Sequence, residues 1–530
     1  MKHVLIKSMQ LRFQEFDDFI IFFKPYGIRM HQVDDGQFGF VEALAYQLKQ
    51  PLFIVHRLDK ETSGLVILAK SATSAALLTE LFQDHLITKT YFFLTDHTVS
   101  KTQFVVKTYI DKSKFASTNH SATNSETIFT YVHKVGNFHL WKATPKTDKP
   151  HQIRLHAQNA GIPIYGDKEH GGSKSFRLCL QASEIEFTVH KKLYHFKIPL
   201  PPSFIGPAHE QIKNLFIDSL FNKNELFHLN KNSCYRLIHT EGLNTRADIY
   251  GNHLWVYDYS ERGLSTAETE SIQQFANDNH LSSSIRHMID RGAGVGGLEK
   301  STLQTKATTN DIANNIAPVW QASEENMQFQ LRTDSGFSPG LFLDQKENRK
   351  FVLKESFDKT VLNLFSYTAG FSVAAAKGEA KTVTTVDVSK KFLEWSKENF
   401  KLNHLDPAAF EFFAQDCLLF LKGSKKRNRT WDLIICDPPS FGRSENSVWK
   451  IEKNLSELAE LIYTCLSLQG QILFTCNYEK WSRNQLIQEF TKKLPKNKFK
   501  IERLPFLSLD FNETDDEKNL MKGFLLKRID

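Results

Sequence analysis

Cysteine is scarce and scattered. Cys179, Cys234, Cys417, Cys436, Cys465 and Cys476 are the only six in the chain, and no two stand at a CxxC spacing. That excludes a paired-thiolate zinc site, and the histidines show no metal-ligand spacing either, so no metal is expected. Single thiols also argue against a disulfide scaffold and for a reducing compartment, the cytoplasm being the simplest. Long apolar runs are missing as well. No segment reaches the roughly 20 residues that a membrane-spanning helix needs, and the opening MKHVLIKSMQLRFQEFDDF carries no apolar stretch ahead of a small-residue cleavage site. No membrane partner is expected. A strong charge of one sign is absent too: 67 Lys and Arg stand against 60 Asp and Glu, a net +7. That mild excess permits nucleic acid without demanding it.

What is present is a long chain of changing pattern. At 530 residues it exceeds one ordinary core, and about two to four domains are expected. Residues 1–206 read as an α+β unit, with strands in FIIFFKPYGI, GLVILAKS and KTYFFLT and helical spacing in TSAALLTELFQDHL. A proline-rich stretch, FKIPLPPSFIGPAHE, closes it. Residues 207–231 read as a helical or loose connector, and 232–325 as a small central α/β domain, within which 281–318 looks irregular or mobile. From 326 to 530 apolar strands alternate with helices, the pattern of a parallel sheet covered on both faces.

The stretch VHRLDKETSGLVILAK sets one acid, Asp59, at the mouth of a strand among basic residues. A surface turn would also use Asp, Lys, Thr, Ser and Gly. A lone, partly buried acid held by a cation can instead serve as nucleophile or base without metal. Arg154, in the strand-like run HQIRLH, is positioned to supply that cation, and Tyr91 to stack on a base. HRLDKETSG (56–64), KPYG (24–27), KTY (89–91) and HQIRLH (151–156) together resemble the RluA-type pseudouridine synthases, over roughly residues 15–200. The resemblance implies that Asp59 is the catalytic aspartate and that Arg57 enters the space left by a flipped-out uridine. It also implies that Tyr91 stacks and handles protons, and that Arg154 pairs with Asp59. The chain departs from the family at Lys149-Pro150, where Arg-Thr is frequent, and at Gln181, where histidine is usual. No S4-type module is expected ahead of the domain.

In the last third, VLNLFSYTAGFSVAAAKGEAKTVTTVDVS places a strand, a small-residue turn with Gly370, a helix start and a second strand ending at Asp387. Doubly wound sheets bind nucleotide-like cofactors in this way, the acid taking ribose hydroxyls. The single glycine suits S-adenosylmethionine better than a dinucleotide. These motifs, with GLFLDQKENRKFV (340–352), CDPPSF and NLMKGFLLKR, resemble the class I S-adenosylmethionine-dependent methyltransferases, Rossmann-like in fold, of the RlmI and RlmK type. By that resemblance Asp344, Gln345 and Arg349 shape the cofactor pocket, and Ser366, Tyr367, Thr368 and Gly370 surround the methionine portion. Asp387 takes the ribose, Asp416 the adenine end, and Asp437 with Phe441 faces the target base. Cys476, in FTCNY, stands where cytosine-C5 methyltransferases of RNA carry a Thr-Cys pair, and is assigned as the nucleophile for a C5 reaction. Guanine N7 or an exocyclic amine is the alternative, with Cys476 a small buried hydrophobe.

Three weaker signals remain. RGAGVGG (291–297) matches GxGxxG without a strand leading into it and reads as a flexible loop. KGSKKRNR (422–429) and KKLPKNKFK (492–500) read as solvated charge, or else as phosphate contacts. The whole is expected to be a bifunctional RNA-modifying enzyme, acting on large-subunit ribosomal RNA, with transfer RNA as alternative for the first activity. Two rival readings stay open: one half surviving as an inactive RNA-binding module, or a small-molecule methyltransferase with an unrelated first domain. Oligomeric state is not legible.

Overall fold

The computed structural model describes residues 9–32, 39–111, 116–118, 123–206, 211–239, 244–289, 304–307, 319–335, 338–443, 448–502, 508–511 and 521–530. The first part is built on a mixed sheet that has eleven strands among the described residues. Strand Phe19–Lys24 lies antiparallel to Ser63–Ala69. Ser63–Ala69 runs parallel to Leu180–Val189, and this in turn lies antiparallel to Thr88–Thr95. Apolar runs such as FIIFF and GLVILA, with no alternation, require cover on both faces. Helix Ala72–Gln83 covers one face with Leu78 and Phe82, and helices Phe40–Leu48 and Gln152–Asn159 cover the other with Phe40, Leu44, Ile153 and Ala157. The parallel contact needs a glycine. Gly64 has φ +132°, and a Cβ there would lie 2.2 Å from the Ala182 carbonyl oxygen. The TSG turn that follows Asp59 is therefore fixed by backbone approach.

The connector takes the helical form. Helix Gln211–Leu226 buries Ile212, Leu215 and Phe216 in a core shared with the first part and the central sheet. Strand Phe227–Leu229 then pairs with Met9–Leu11. The central sheet orders Cys234–Ile238, Thr245–Tyr250, His253–Asp258, Ser282–Ile289 and Gln304–Ala307. Helix Thr266–Asp278 makes the crossover between the parallel pair His253–Asp258 and Ser282–Ile289. The expected irregular stretch 281–318 is thus corrected where it is described: SSSIRHMI is a ladder strand. Its serines hide it from composition, because the partner strand and the crossover helix hold it, not β-propensity. RGAGVGG lies outside the described residues.

Hairpin Val319–Glu324 and Met327–Arg332 spans the boundary expected at 325/326. It bridges to the central sheet through Ser233 and Ser323 and sends Phe329 and Leu331 into the core of the last part. That last part carries a seven-stranded sheet whose order, counted in chain sequence, is 3-2-1-4-5-7-6. Strands Glu411–Ala414, Thr382–Asp387, Thr360–Leu364, Trp431–Cys436 and Leu466–Cys476 are parallel, with Lys522–Arg528 antiparallel beside the last. The order reverses between Thr360–Leu364 and Trp431–Cys436, the switch point at which open α/β sheets bind ligands. No helix among the described residues is long and apolar enough to cross a membrane.

Candidate functional site

Two clefts bring the predicted residues together. The first has a volume of about 780 Å³ and is lined by Arg57, Asp59, Tyr91 and Arg154, with His56, Asp148, Lys149, Pro150 and His151. Asp59 is half-buried and Arg57 exposed on its rim. The loop carrying Asp59 is braced from behind by the KPYG segment. Lys24 is fully buried, and its Nζ donates to the carbonyls of Pro25, Lys60 and Thr62 at 3.0, 3.1 and 2.9 Å. The Gly27 N–H donates to the Lys60 carbonyl at 2.8 Å, and the Thr62 N–H closes back on the Asp59 carbonyl at 3.1 Å. An ammonium satisfying three carbonyls on one loop leaves that loop little freedom. His56 anchors its other end: Nε2 accepts the Ile67 N–H at 2.9 Å, and the ring stacks on Phe82 at 4.6 Å. Burial, with the charge of Lys89 adding to it, pulls the His56 imidazole down to about 3, so it is neutral.

Tyr91, in strand Thr88–Thr95, is 8% exposed. Burial and then the carboxylates of Asp148 and Asp59 hold its phenol well above the ordinary value. It keeps its proton near neutral pH and offers a donor and a stacking face.

Arg154 is a correction in two respects. It lies in helix Gln152–Asn159, not in a strand. Its hydrogen-bond partner is Asp167, to which Nε and Nη2 donate at 2.7 and 2.6 Å, while Nη2 also reaches Glu169 at 2.8 Å; the Asp59 charge acts on it without a hydrogen bond among the described residues. Burial would raise the Asp167 carboxyl, but the Arg154 hydrogen bonds and charge outweigh it and hold Asp167 below its ordinary value. Asp167 ends the run IPIYGD, 162–167, and carried no assigned role. A pair of this kind fixes the guanidinium's orientation at the cleft that Asp59 also lines. The structure also brings together His151, Glu169 and His170, their ligand atoms within 4.8 Å of one another, a grouping that spacing alone did not reveal. The Arg154 guanidinium already stands 2.8 Å from Glu169 and 3.4 Å from His151, which fills the place a metal cation would take. Gln181 lies outside this cleft: buried, it donates to the Pro199 carbonyl at 2.8 Å and accepts from the Ser63 hydroxyl at 3.4 Å. That departure from the family touches packing, whereas Lys149 and Pro150 line the cleft itself.

The second site sits at the switch point of the C-terminal sheet. Between strand Thr360–Leu364 and helix Gly370–Lys377 the turn is wound tightly, with Phe365, Tyr367 and Ala369 at φ +54°, +49° and +63°. Three left-handed non-glycine residues in five positions are strain of the kind stored at functional sites. The Asp387 carboxylate accepts the Tyr367 and Ser389 N–H groups, each at 2.9 Å, and so clamps the turn to the second strand. Thr368 Oγ1 donates to the Gly340 carbonyl at 2.6 Å, and Tyr367 to the Ser338 carbonyl at 3.2 Å, tying in the GLFLDQ segment. Arg349 lies beneath: Nε and Nη2 each reach Glu324 at 2.7 Å, and its Cδ would lie 3.3 Å from a Cβ on Gly370. It supports the turn by packing, with Glu324 a partner the sequence did not signal. Asp416 caps helix Cys417–Lys426 through the Leu419 N–H at 3.1 Å.

One buried polar atom in the turn, Ser366 Oγ, has no hydrogen-bond partner among the described residues. An orphaned hydroxyl in a strained turn at the switch point fits a group that arrives with its own donors and acceptors, as S-adenosylmethionine does. At the end of the fourth strand, Asp437 accepts from Thr475 Oγ1 at 2.8 Å and from Gln345 Nε2 at 2.9 Å. Burial, with the charge of Asp344 adding to it, pushes its carboxyl up to about 7 against these hydrogen bonds. Thr475 is a member of this cluster that sequence reasoning missed. Phe441 is 40% exposed on the short hairpin after DPPS.

Cys476 is the main correction here. Successive side chains of a strand point to opposite faces. Thr475 takes the face toward Asp437, so Cys476 turns with Phe474 into the core between the sheet and helices Ile451–Thr464 and Arg483–Thr491. It is fully buried, and burial pushes its thiol up to about 12. A thiol so placed supplies no thiolate. All six cysteines are buried. Part of the two basic clusters is paired with acids: Lys422 with Glu457, Arg429 with Glu411, Lys493 with Glu460 and Lys498 with Asp530.

Comparison with known proteins agrees with both halves. Residues 18–159 match the family model described as RNA pseudouridylate synthase, and residues 301–526 that of S-adenosylmethionine-dependent methyltransferase. A curated relative, the ribosomal RNA large subunit methyltransferase K/L of Pseudoalteromonas atlantica, is 29% identical over 394 residues, covering 67% of this chain and 54% of its own. That of Shewanella sp. strain MR-4 is 37% identical over 190 residues, 35% of this chain and 26% of its own. The chain thus spans about half the length of the first and about a quarter of the second. Among solved structures, a methyltransferase complexed with SAH superposes with a TM-score of 0.51 at 25% identity, covering 65% of this chain and 87% of that one. The first part of the chain is thus similar to the RNA pseudouridylate synthases and the last part to the S-adenosylmethionine-dependent methyltransferases.

Proposed function

We propose that the protein is a cytoplasmic, bifunctional RNA-modifying enzyme acting on large-subunit ribosomal RNA. The observation that carries this reading is the presence in one chain of two separate constellations, each assembled at its own cleft: Asp59 with Arg57 and Tyr91, and the Ser366–Gly370 turn with Asp437. The names of the curated relatives support ribosomal RNA as the substrate.

In the first cleft Asp59 attacks or deprotonates a uridine held by Tyr91, with Arg57 filling the space the flipped nucleotide leaves. The C1′–N1 bond breaks and a C1′–C5 bond forms, a proton leaving C5 and one arriving at N1. Nothing is added or lost, which is why one acid suffices. In the second site S-adenosylmethionine supplies an electrophilic methyl group. With Cys476 turned away, no cysteine among the described residues is placed to activate a pyrimidine C5 by addition at C6. The acceptor is then an atom with its own lone pair, a ring nitrogen or an exocyclic amine, whose N–H groups Asp437 is placed to accept. Phe441 offers a face for stacking.

The test is to incubate the protein with methyl-labelled S-adenosylmethionine and unmodified large-subunit RNA, digest to nucleosides and identify the products. Pseudouridine together with an N-methylated base is expected. Labelled 5-methylcytidine would restore the C5 chemistry, and absence of pseudouridine on every RNA tried would leave the first half as a binding module.

A further inference from the structure

Behind the second site a chain of hydrogen-bond donors runs in one direction and ends on Asp437. Asn348 Nδ2 donates to Gln345 Oε1 at 2.6 Å. Gln345 Nε2 donates to Asp437 Oδ2 at 2.9 Å and to Thr475 Oγ1 at 3.1 Å, and Thr475 Oγ1 donates to Asp437 Oδ1 at 2.8 Å. Asn348, Gln345 and Thr475 are all buried, so water does not compete for these bonds. Gln345 is the N-cap of helix Lys346–Glu355, and Asn348 stands three residues on, a spacing that brings two side chains together.

The direction of the chain matters because a primary amide has two ends of nearly equal shape and opposite polarity. An ionised Asp437 needs the N–H end of Gln345. A protonated Asp437 is itself a donor, and the amide could turn its oxygen to meet it. Asn348 opposes that turn, because its N–H group would then face the Gln345 N–H group with no acceptor between them. The Asn348 hydrogen bond thus weights the site toward the carboxylate, against the burial that favours the acid.

The charged groups around Asp437 act whichever way the amide points. The Asp344 charge raises the Asp437 carboxyl and the Arg349 charge lowers it. On the same helix Lys346 is bound to Asp510 and Glu347 to Lys350. From the adjoining strands come Cys436 and Cys476, whose thiols burial holds above their ordinary value, so neither carries charge near neutral pH.

We propose that Asn348 is a positioning residue of the second site: by fixing which end of the Gln345 amide faces Asp437, it keeps Asp437 in the form that accepts an N–H group of the target. The proposal rests on the RNA-methylating function above.

The experiment uses the full chain, wild type against Asn348→Leu, Gln345→Leu and the double variant. Leucine is close to asparagine in volume and brings no N–H group. Two readouts locate the Asp437 titration. One is the pH profile of kcat for methyl transfer to large-subunit RNA. The other needs no substrate: it is the pH at which the melting-temperature gain from adding Asp437→Asn levels off. Asn348→Leu should move both midpoints up by about one pH unit, the loss of one hydrogen bond to a charged group. Methyl transfer then falls about fivefold at about pH 7 and hardly at all at about pH 9, with S-adenosylmethionine binding by calorimetry unchanged. Gln345→Leu should also raise the midpoints, and adding Asn348→Leu to it should shift them no further. A loss of equal size at every pH would make Asn348 a packing residue and overturn the proposal, as would additive shifts in the double variant. Should Asn348→Leu not fold, Asn348→Ala is read in its place. If wild type transfers no methyl group to any RNA, the functional reading fails, while the melting-temperature midpoint still decides the role of Asn348.

Discussion

The two sites hold their key acids in opposite ways. Asp59 stands half-exposed on a loop whose backbone is tied down from behind by Lys24, so rigidity comes from outside the cleft and the carboxylate is left open. Asp437 is held directly by Thr475 and Gln345, in surroundings that raise it to about 7, beside a turn with three strained residues and an orphaned hydroxyl. The first arrangement is complete by itself, as the proposed isomerisation without external reagent requires. The second stores strain and unsatisfied polarity that a bound group relieves.

The largest effect that would sharpen this contrast is Asp59→Ala. It should lower pseudouridine formation about a thousandfold while methyl transfer continues, both read from one nucleoside digest; coupled loss of the two would deny their independence. Next is Lys24→Met, which strips one donor from three carbonyls. A loss of about 3 kcal/mol should appear as a lower urea midpoint, with pseudouridine formation falling and methyl transfer retained.

Asp437 yields a prediction with pH. Its carboxyl titrates at about 7 folded against about 3.9 unfolded, so the folded state binds the proton more tightly. Stability therefore falls as pH rises between those values, and the penalty is full above 7. Asp437→Asn should raise the melting temperature at pH 8 by about 2–4 °C, what about 1 kcal/mol amounts to at this domain size. The gain should vanish near pH 4. Methyl transfer by wild type should rise through pH 7 and be lost in the variant. A destabilised Asp437→Asn at pH 8 would mean the cluster is a structural network after all. The smallest effect is expected from Cys476→Ala: methyl transfer within about twofold of wild type and a loss of about 1 kcal/mol. Abolished transfer would reinstate the thiolate.

Much of both sites was legible because their motifs are local. HRLDKETSG carries the acid, the turn and the glycine that lets two strands meet. SYTAGF carries the turn and VTTVDVS the acid that clamps it. What stayed hidden was contributed across distance. Arg154 read as a partner for Asp59, because helix Gln152–Asn159 and the later Asp167 meet only in the folded chain. The serine-rich strand Ser282–Ile289 read as irregular, because its neighbours, and not its own residues, make it a strand.

The sequence by itself determined the two domain classes, the position of Asp59 at the mouth of a strand, and the strand-turn-helix of the last part, since each depends on chemistry within a few residues; the bracing of the Asp59 loop by Lys24, 36 and 38 residues away, came only with the fold. Only the tertiary structure decided which face of Leu466–Cys476 meets the site. Thr475 and Cys476 are neighbours, and alternation sends them to opposite sides; which of the two reaches Asp437 depends on strand register and on what packs against each face. It also decided that the central sheet and the last part line one cavity together, because a cavity between two parts exists in neither part's sequence.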